Sequence, residues 1–204
     1  MSKHKIHIFY HIATLNGYES IVNEQLNSIK NSGILKHSTL SIGVVGNHKI
    51  QTNLTSDIYY FGGIEKYEYP TLHLMWDWCK KNEDSYVLYI HTKGVSSPKN
   101  EYLKHLWRYE MMGNVRNWKK CIEQLKYGYS MVASGTKWAT NLGGESFWAG
   151  TIFWANSNFI SQLNDPANVP ERFGDSRWYS ELWPTDHNLV FNVFEALLSD
   201  KNTN

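Results

Sequence analysis

The sequence predicts an α/β domain with a mostly parallel central sheet flanked by helices, on three observations. Residues 86–90 (YVLYI) form a continuous apolar run without alternation, the mark of a parallel strand covered on both faces. Strand-like and helix-like segments alternate through the first 90 residues, an order that builds a sheet through right-handed crossovers. The chain is 204 residues long and carries no repeat, low-complexity tract or linker. That length suits one domain or at most two small ones, and we expect a single domain over 1–204.

The elements follow in order. Residues 6–12 read as a short apolar and aromatic strand, ending in the polar, Gly-bearing turn Ala13-Thr14-Leu15-Asn16-Gly17. Residues 19–30 set Ile21, Val22, Leu26 and Ile29 on one helical stripe, with Gly33 as the stop. Strands are expected over 39–45 and 57–61. Pro70 opens a second helix whose stripe is Leu72, Met75, Trp76 and Cys79. A long helical region covers 101–127 with a break near Gly113, followed by a strand at 131–134 and an aromatic stretch at 146–155. Pro166, Pro170 and Gly174 mark 164–174 as a surface loop. A last helix is expected over 185–198, striped by Leu189, Val190, Val193, Phe194 and Leu197.

Composition excludes several classes. Twenty Lys and Arg against 19 Asp and Glu leave a net charge of +1, without the basic surplus that nucleic acid or anionic membrane requires. Aromatic residues at 15% and charged residues at 19% are the reverse of a disordered composition. Nine Trp suit a core, a carbohydrate-binding surface, or both. Cys79 and Cys121 stand in helical stretches outside any paired-Cys or Cys/His spacing, so both are expected as buried free thiols. With no run of 18 apolar residues and no signal-peptide pattern, the expected location is cytoplasmic.

Ligands of such a sheet bind outside the carboxyl ends of its strands. Three loops qualify: 13–17, 91–97 and 141–145. In the second, His91 and Lys93 stand two residues apart at the end of a buried strand and point the same way. Lys93 brings a positive charge, Thr92, Ser96 and Ser97 bring hydroxyls, and Gly94 allows a close backbone approach. The combination suits a diphosphate; the alternative is a solvated loop lysine beside a supporting histidine. The nucleophile-elbow, P-loop, zinc-peptidase and dinucleotide-binding patterns are all absent. One acid has an unusual setting: Glu181, in Trp178-Tyr-Ser-Glu181-Leu-Trp183-Pro, with Asp186 five residues on. A carboxylate among aromatics is partly desolvated, which raises its pKa and makes it a better base; an ion pair with Arg177 is the plainer role.

The segment His11-Ile-Ala-Thr14-Leu-Asn-Gly-Tyr, followed by a helix and Ser32-Gly33-Ile-Leu, resembles the opening of small rhamnan-synthesis-type and virus-type glycosyltransferases. So do Tyr69-Pro70-Thr71-Leu72, Tyr89-Ile-His91-Thr92-Lys93-Gly94 and Trp107-Arg108. The blocks Phe147-Trp-Ala-Gly150-Thr-Ile-Phe-Trp154-Ala and Arg177-Trp-Tyr-Ser-Glu181-Leu-Trp183 extend the resemblance from position 6 to about 187, nearly the whole chain.

The resemblance implies a single Rossmann-like A-type glycosyltransferase domain. Its first half, 1–97, would bind a nucleoside-diphosphate sugar and its second, 98–204, a glycan acceptor. Thr14, with Asn16 in the same loop, would hold the nucleotide base, with Tyr69 and Thr71 near it. His91, Lys93 and Arg108 would complete the nucleotide-sugar site. Glu181 matches the acidic position on the acceptor side, with Asp186 in reserve as the catalytic base or as a helix cap. Trp148, Trp154 and Trp183 are expected either to stack on sugar faces or to fill the core. Enzymes of this type usually hold a divalent metal under the diphosphate with an Asp-x-Asp pair; here that place reads His91-Thr92-Lys93. Mn or Mg is compatible with the sequence but not required, because Lys93 can neutralise the leaving group itself. The expected activity is transfer of a hexose or deoxyhexose to a glycan hydroxyl with inversion. The competing reading is a non-catalytic carbohydrate-binding module using the Trp-rich surface.

Overall fold

Strand β1 (Ile6–Ala13) lies between β2 (Ser38–Val45) and β4 (Tyr86–His91) and runs parallel to both. The computed structural model describes residues 5–15, 17–95, 101–133, 138–140, 146–148, 152–170, 179–185 and 193–195. Beyond β2 lies β3 (Asp57–Tyr60), also parallel. On the other side β8 (Phe153–Asn156) pairs antiparallel with both β4 and β5 (Met131–Ala133), and β9 (Val193–Glu195) closes the sheet parallel to β5. The order is β3-β2-β1-β4-β8-β5-β9, with β8 alone reversed. A separate antiparallel pair joins β6 (Trp138–Thr140) to β7 (Ser146–Trp148).

Alternation along the central strands divides the core in two. Ile8, Tyr10, Ile12, Leu88 and Ile90 face one side, where α1 (Tyr18–Asn31), α4 (Gly113–Arg116) and α5 (Trp118–Lys126) bring Ile29, Val115 and Leu125. Phe9, Val87 and Tyr89 face the other. There α2 (Tyr69–Lys81), α6 (Ser157–Ile160) and α7 (Tyr179–Leu182) supply Leu72, Ile160 and Leu182. Each fully buried aliphatic side chain, such as Ile29 or Leu72, contributes about 1.5–3 kcal/mol. Gly17 precedes α1 at φ 72°, a left-handed turn that glycine enters without steric cost, and Pro70 pre-sets the first turn of α2. One buried polar chain crosses the first core. Tyr10 Oη donates to Gln25 Oε1 at 2.7 Å, and Gln25 Nε2 donates to the His91 carbonyl at 2.9 Å, tying α1 to the end of β4.

Several expectations change. The helical region beyond 100 is three helices: α3 (Glu101–Met111), α4 and α5. The aromatic stretch is two strands, β7 and β8. The helix expected over 185–198 gives way at Val193–Glu195 to β9, because Met131–Ala133 offers a strand edge to pair with, and a short apolar run serves strand or helix equally. Both cysteines are buried and free, and burial pushes the Cys121 thiol up to about 12. Among the described residues no helix is long and apolar enough to cross a membrane.

Candidate functional site

β1 and β4 end side by side, with His11 opposite His91. Paired residues of a parallel ladder share a face, so both rings stand over α2. Outside these strand ends opens a cleft of about 610 Å³, well within the range of small-molecule sites. One wall is built on Glu68, the residue before α2. Its Oε1 accepts from His91 Nδ1 at 2.9 Å and its Oε2 accepts from Tyr89 Oη at 2.8 Å. Burial pushes this carboxyl up, but the His91 ring beside it, helped by His11 and the Tyr89 hydroxyl, outweighs burial and holds it down at about 2. His11 Nδ1 shares a 2.8 Å hydrogen bond with the Thr71 hydroxyl. Burial lowers the ring to about 4, against the opposing pull of Glu68. Tyr67 lines the same wall at φ 48°, a backbone conformation that costs a non-glycine residue about 1–3 kcal/mol.

The facing wall carries the loop that leaves β4. Lys93 Nζ lies 3.3 Å from Glu181 Oε1 on α7, and 4.3 Å from the centre of the Trp107 ring. Both partners of the ion pair are largely buried, at 15% and 11% side-chain exposure. Gly94, at φ 92°, lets the loop settle on α3, where Lys104 and Arg108 lie one turn apart. Arg108 is buried; its Nη1 donates to the Lys93 carbonyl at 3.3 Å and its Nη2 lies 3.5 Å from Glu24. Lys104 lines the cleft, and its Nζ is buried with no hydrogen-bond partner among the described residues.

The structure brings His91, Lys93 and Glu181 into one cleft. Other expected residues stand behind it. Thr14 is buried and its hydroxyl donates to the Val45 carbonyl at 3.2 Å, so Ala13 and Leu15 line the cleft instead. Thr71 is buried and engaged with His11. Tyr69 packs between the Tyr67 and Tyr179 rings. Arg108 braces the Lys93 loop rather than lining the cleft. Trp154 and Trp183 are corrected to core residues: each is almost fully buried, and their indole N–H groups donate to the carbonyls of Asn114 and Asn164 at 3.0 and 2.7 Å. Neither offers a face to a sugar, which removes two of the three Trp from the carbohydrate-binding-module reading. Asn16, Asp186 and the side chain of Trp148 lie outside the described residues. Sequence reasoning did not single out Glu68 or Lys104. The only signals were an acid immediately before Tyr69-Pro70 and a lysine four residues before Arg108.

A model of the family described as a domain of unknown function, DUF8361, matches residues 7–191. The chain belongs to that family. Among curated proteins none matches the sequence of this DUF8361 member. Among solved structures, the crystal structure of S. aureus TarS 1-349 aligns with a TM-score of 0.51 at 11% identity, over 88% of this chain and 54% of that one. The chain thus spans about half the length of that structure. The likeness shows that this chain shares the mixed α/β fold of that structure.

The described residues gather no site for the divalent metal that the sequence resemblance implies. Among them no three His, Cys, Asp or Glu side chains converge to hold a metal ion. Glu68, the carboxylate nearest the strand ends, already accepts from His91 and Tyr89.

Proposed function

We propose that this chain is a glycosyltransferase that moves a hexose or deoxyhexose from a nucleoside-diphosphate sugar to a glycan hydroxyl, with inversion, as a step of polysaccharide biosynthesis. The observation that carries the reading is the Lys93–Glu181 pair facing a cleft at the ends of the parallel strands β1 and β4, in a glycosyltransferase fold. The donor's diphosphate lies beside the loop 91–95 and the nucleotide beside Ala13 and Leu15. Glu181 takes the proton of the acceptor hydroxyl as its oxygen attacks the anomeric carbon from the face opposite the diphosphate. The bond from that carbon to the diphosphate oxygen breaks, and the electron pair leaves with the nucleoside diphosphate, whose growing charge the lysine side of the cleft stabilises.

The test is thermal stabilisation by a panel of nucleoside diphosphates and of glycans. A nucleotide at 100 times its dissociation constant adds about 2.7 kcal/mol. A matching screen of nucleotide-sugars for donor hydrolysis, with and without Mn, identifies the donor. Stabilisation by glycans and by no nucleotide overturns the reading in favour of a binding module.

A further inference from the structure

Resting on that reading, we propose that Lys104 of α3 forms the principal diphosphate-binding subsite of the cleft. Its ligand is the anionic phosphate anhydride of the donor and of the released nucleoside diphosphate.

The argument begins with the partners of each charge. Lys93 has Glu181 and the face of Trp107. Arg108 has Glu24 and the Lys93 carbonyl. Among the carboxylates lining the cleft, Glu68 is taken by His91 and Tyr89, and Glu65 folds back over Gly63, where a side chain would collide with its oxygens. Lys104 remains. Its Nζ is withdrawn from solvent and makes no hydrogen bond to any described residue, and an ammonium group without a partner is costly to bury unless an anion completes it.

The fold holds Lys104 in this place. Lys104, Trp107 and Arg108 fall at i, i+3 and i+4 on α3 and share one helix face. That face meets the turn after β4 at Gly94, where an added Cβ would lie 3.2 Å from the Lys104 stem and 3.1 Å from Arg108 Nη1. Lys104 and Lys93 therefore line the same cleft at the same strand end, one with its charge uncommitted and one sharing it with Glu181. Two lysines acting as point charges suit a diphosphate. A single carboxylate would satisfy Lys104 but would leave Lys93 no reason to turn from Glu181.

Titration calorimetry at fixed ionic strength with pyrophosphate, a panel of nucleoside diphosphates and the bare nucleosides tests the assignment. The proteins are wild type, Lys104→Met, Lys104→Arg and the exposed-lysine control Lys119→Met. Lys104→Met is expected to lose roughly 10- to 150-fold in pyrophosphate and nucleoside diphosphate affinity, with nucleoside binding unchanged and an unliganded melting temperature no lower than wild type. Lys104→Arg and Lys119→Met stay within a few-fold of wild type. Should Lys104→Met not fold, Lys104→Gln takes its place with the same expected loss. Wild type that binds no pyrophosphate, or a Lys104→Met that binds it as wild type does, overturns the proposal. Nucleoside diphosphate binding that ignores Lys104 overturns the subsite and leaves the glycosyltransferase reading standing. Lys104-dependent pyrophosphate binding with no nucleoside diphosphate binding does the reverse.

Discussion

Lys93 Nζ and Glu181 Oε1, 88 positions apart in the chain, meet at 3.3 Å on one wall of the cleft. The contact joins the loop after β4 to the short helix α7 and fixes the direction of the Glu181 carboxylate. It also makes the two groups chemically dependent. On the proposed reading, a diphosphate that drew Lys93 toward itself would loosen the hold on Glu181, and donor binding would be coupled to freeing of the base.

Glu181→Gln is expected to cut transfer by about 10²–10⁴-fold, the usual share of a general base. Gln keeps the shape and can still accept from Lys93, but it cannot take the acceptor's proton. Nucleoside diphosphate affinity should be no weaker, because Lys93 is then less tightly held. Turnover measured with the matched donor and acceptor decides the matter: wild-type kcat in the variant removes Glu181 from the mechanism.

Trp154→Phe is expected to act on stability and leave glycan binding unchanged. The indole is fully buried and donates to the Asn114 carbonyl, which α4 holds in the core. Phe removes the donor and part of the volume, a loss of about 1–3 kcal/mol. Urea unfolding shows it as a lower midpoint at unchanged slope. Weaker glycan binding at unaltered stability would return Trp154 to the acceptor surface.

How much of this was legible in the sequence depends on the residue. β4 was readable because its apolar run is short and rich in Val, Ile and Tyr, which favours a buried strand over a helix. Val193–Glu195 was not, since three residues carry too little periodicity to separate strand from helix and the pairing that decides lies 62 positions away at Met131. Lys93 and Glu181 were each visible as chemistry-bearing groups, but nothing local shows that they face one another. Thr14 and Thr71 were ligand residues by the family resemblance; their partners, Val45 and His11, come from other elements. Glu68 was missed because one acid at a helix start reads as an ordinary charge at the dipole's positive end.

Gly43→Ala is expected to destabilise the strand-end wall by about 1–3 kcal/mol. A Cβ at Gly43 of β2 would land on the Thr71 hydroxyl and lie 2.9 Å from the Phe61 ring. Thr71 must then move, and its hydrogen bond to His11 goes with it. Adding Thr71→Ala should recover part of the loss, so a double-mutant cycle in urea reads a coupling of about 0.5–3 kcal/mol. Strictly additive effects would mean that Gly43 and Thr71 do not contend for the same space.

Acid should weaken the fold in two stages of the same sign. Burial lowers His7 to about 4, with Asp57 opposing, and lowers His11 to about 4, with Glu68 opposing. The ordinary value is 6.5, so between pH 6.5 and 4 the unfolded chain binds protons at both rings and the folded chain does not. Their contribution is complete above pH 6.5 and is lost as pH falls toward 4, at about 3 kcal/mol for each buried ring. Glu68 follows. Burial alone would raise it, but His91 and its other partners bring it from 4.5 to about 2, so its stabilisation is present above pH 4.5 and disappears as pH falls from there to 2. Urea midpoints at pH 7.5, 5 and 3.5 should therefore decline throughout, the first interval reporting the histidines and the second increasingly Glu68. His11→Gln removes one titration and flattens the slope between pH 6.5 and 4, whatever it costs at neutral pH. A wild-type midpoint that does not change between pH 7.5 and 5 would show that neither ring is held neutral, and the burial argument for both histidines would fail.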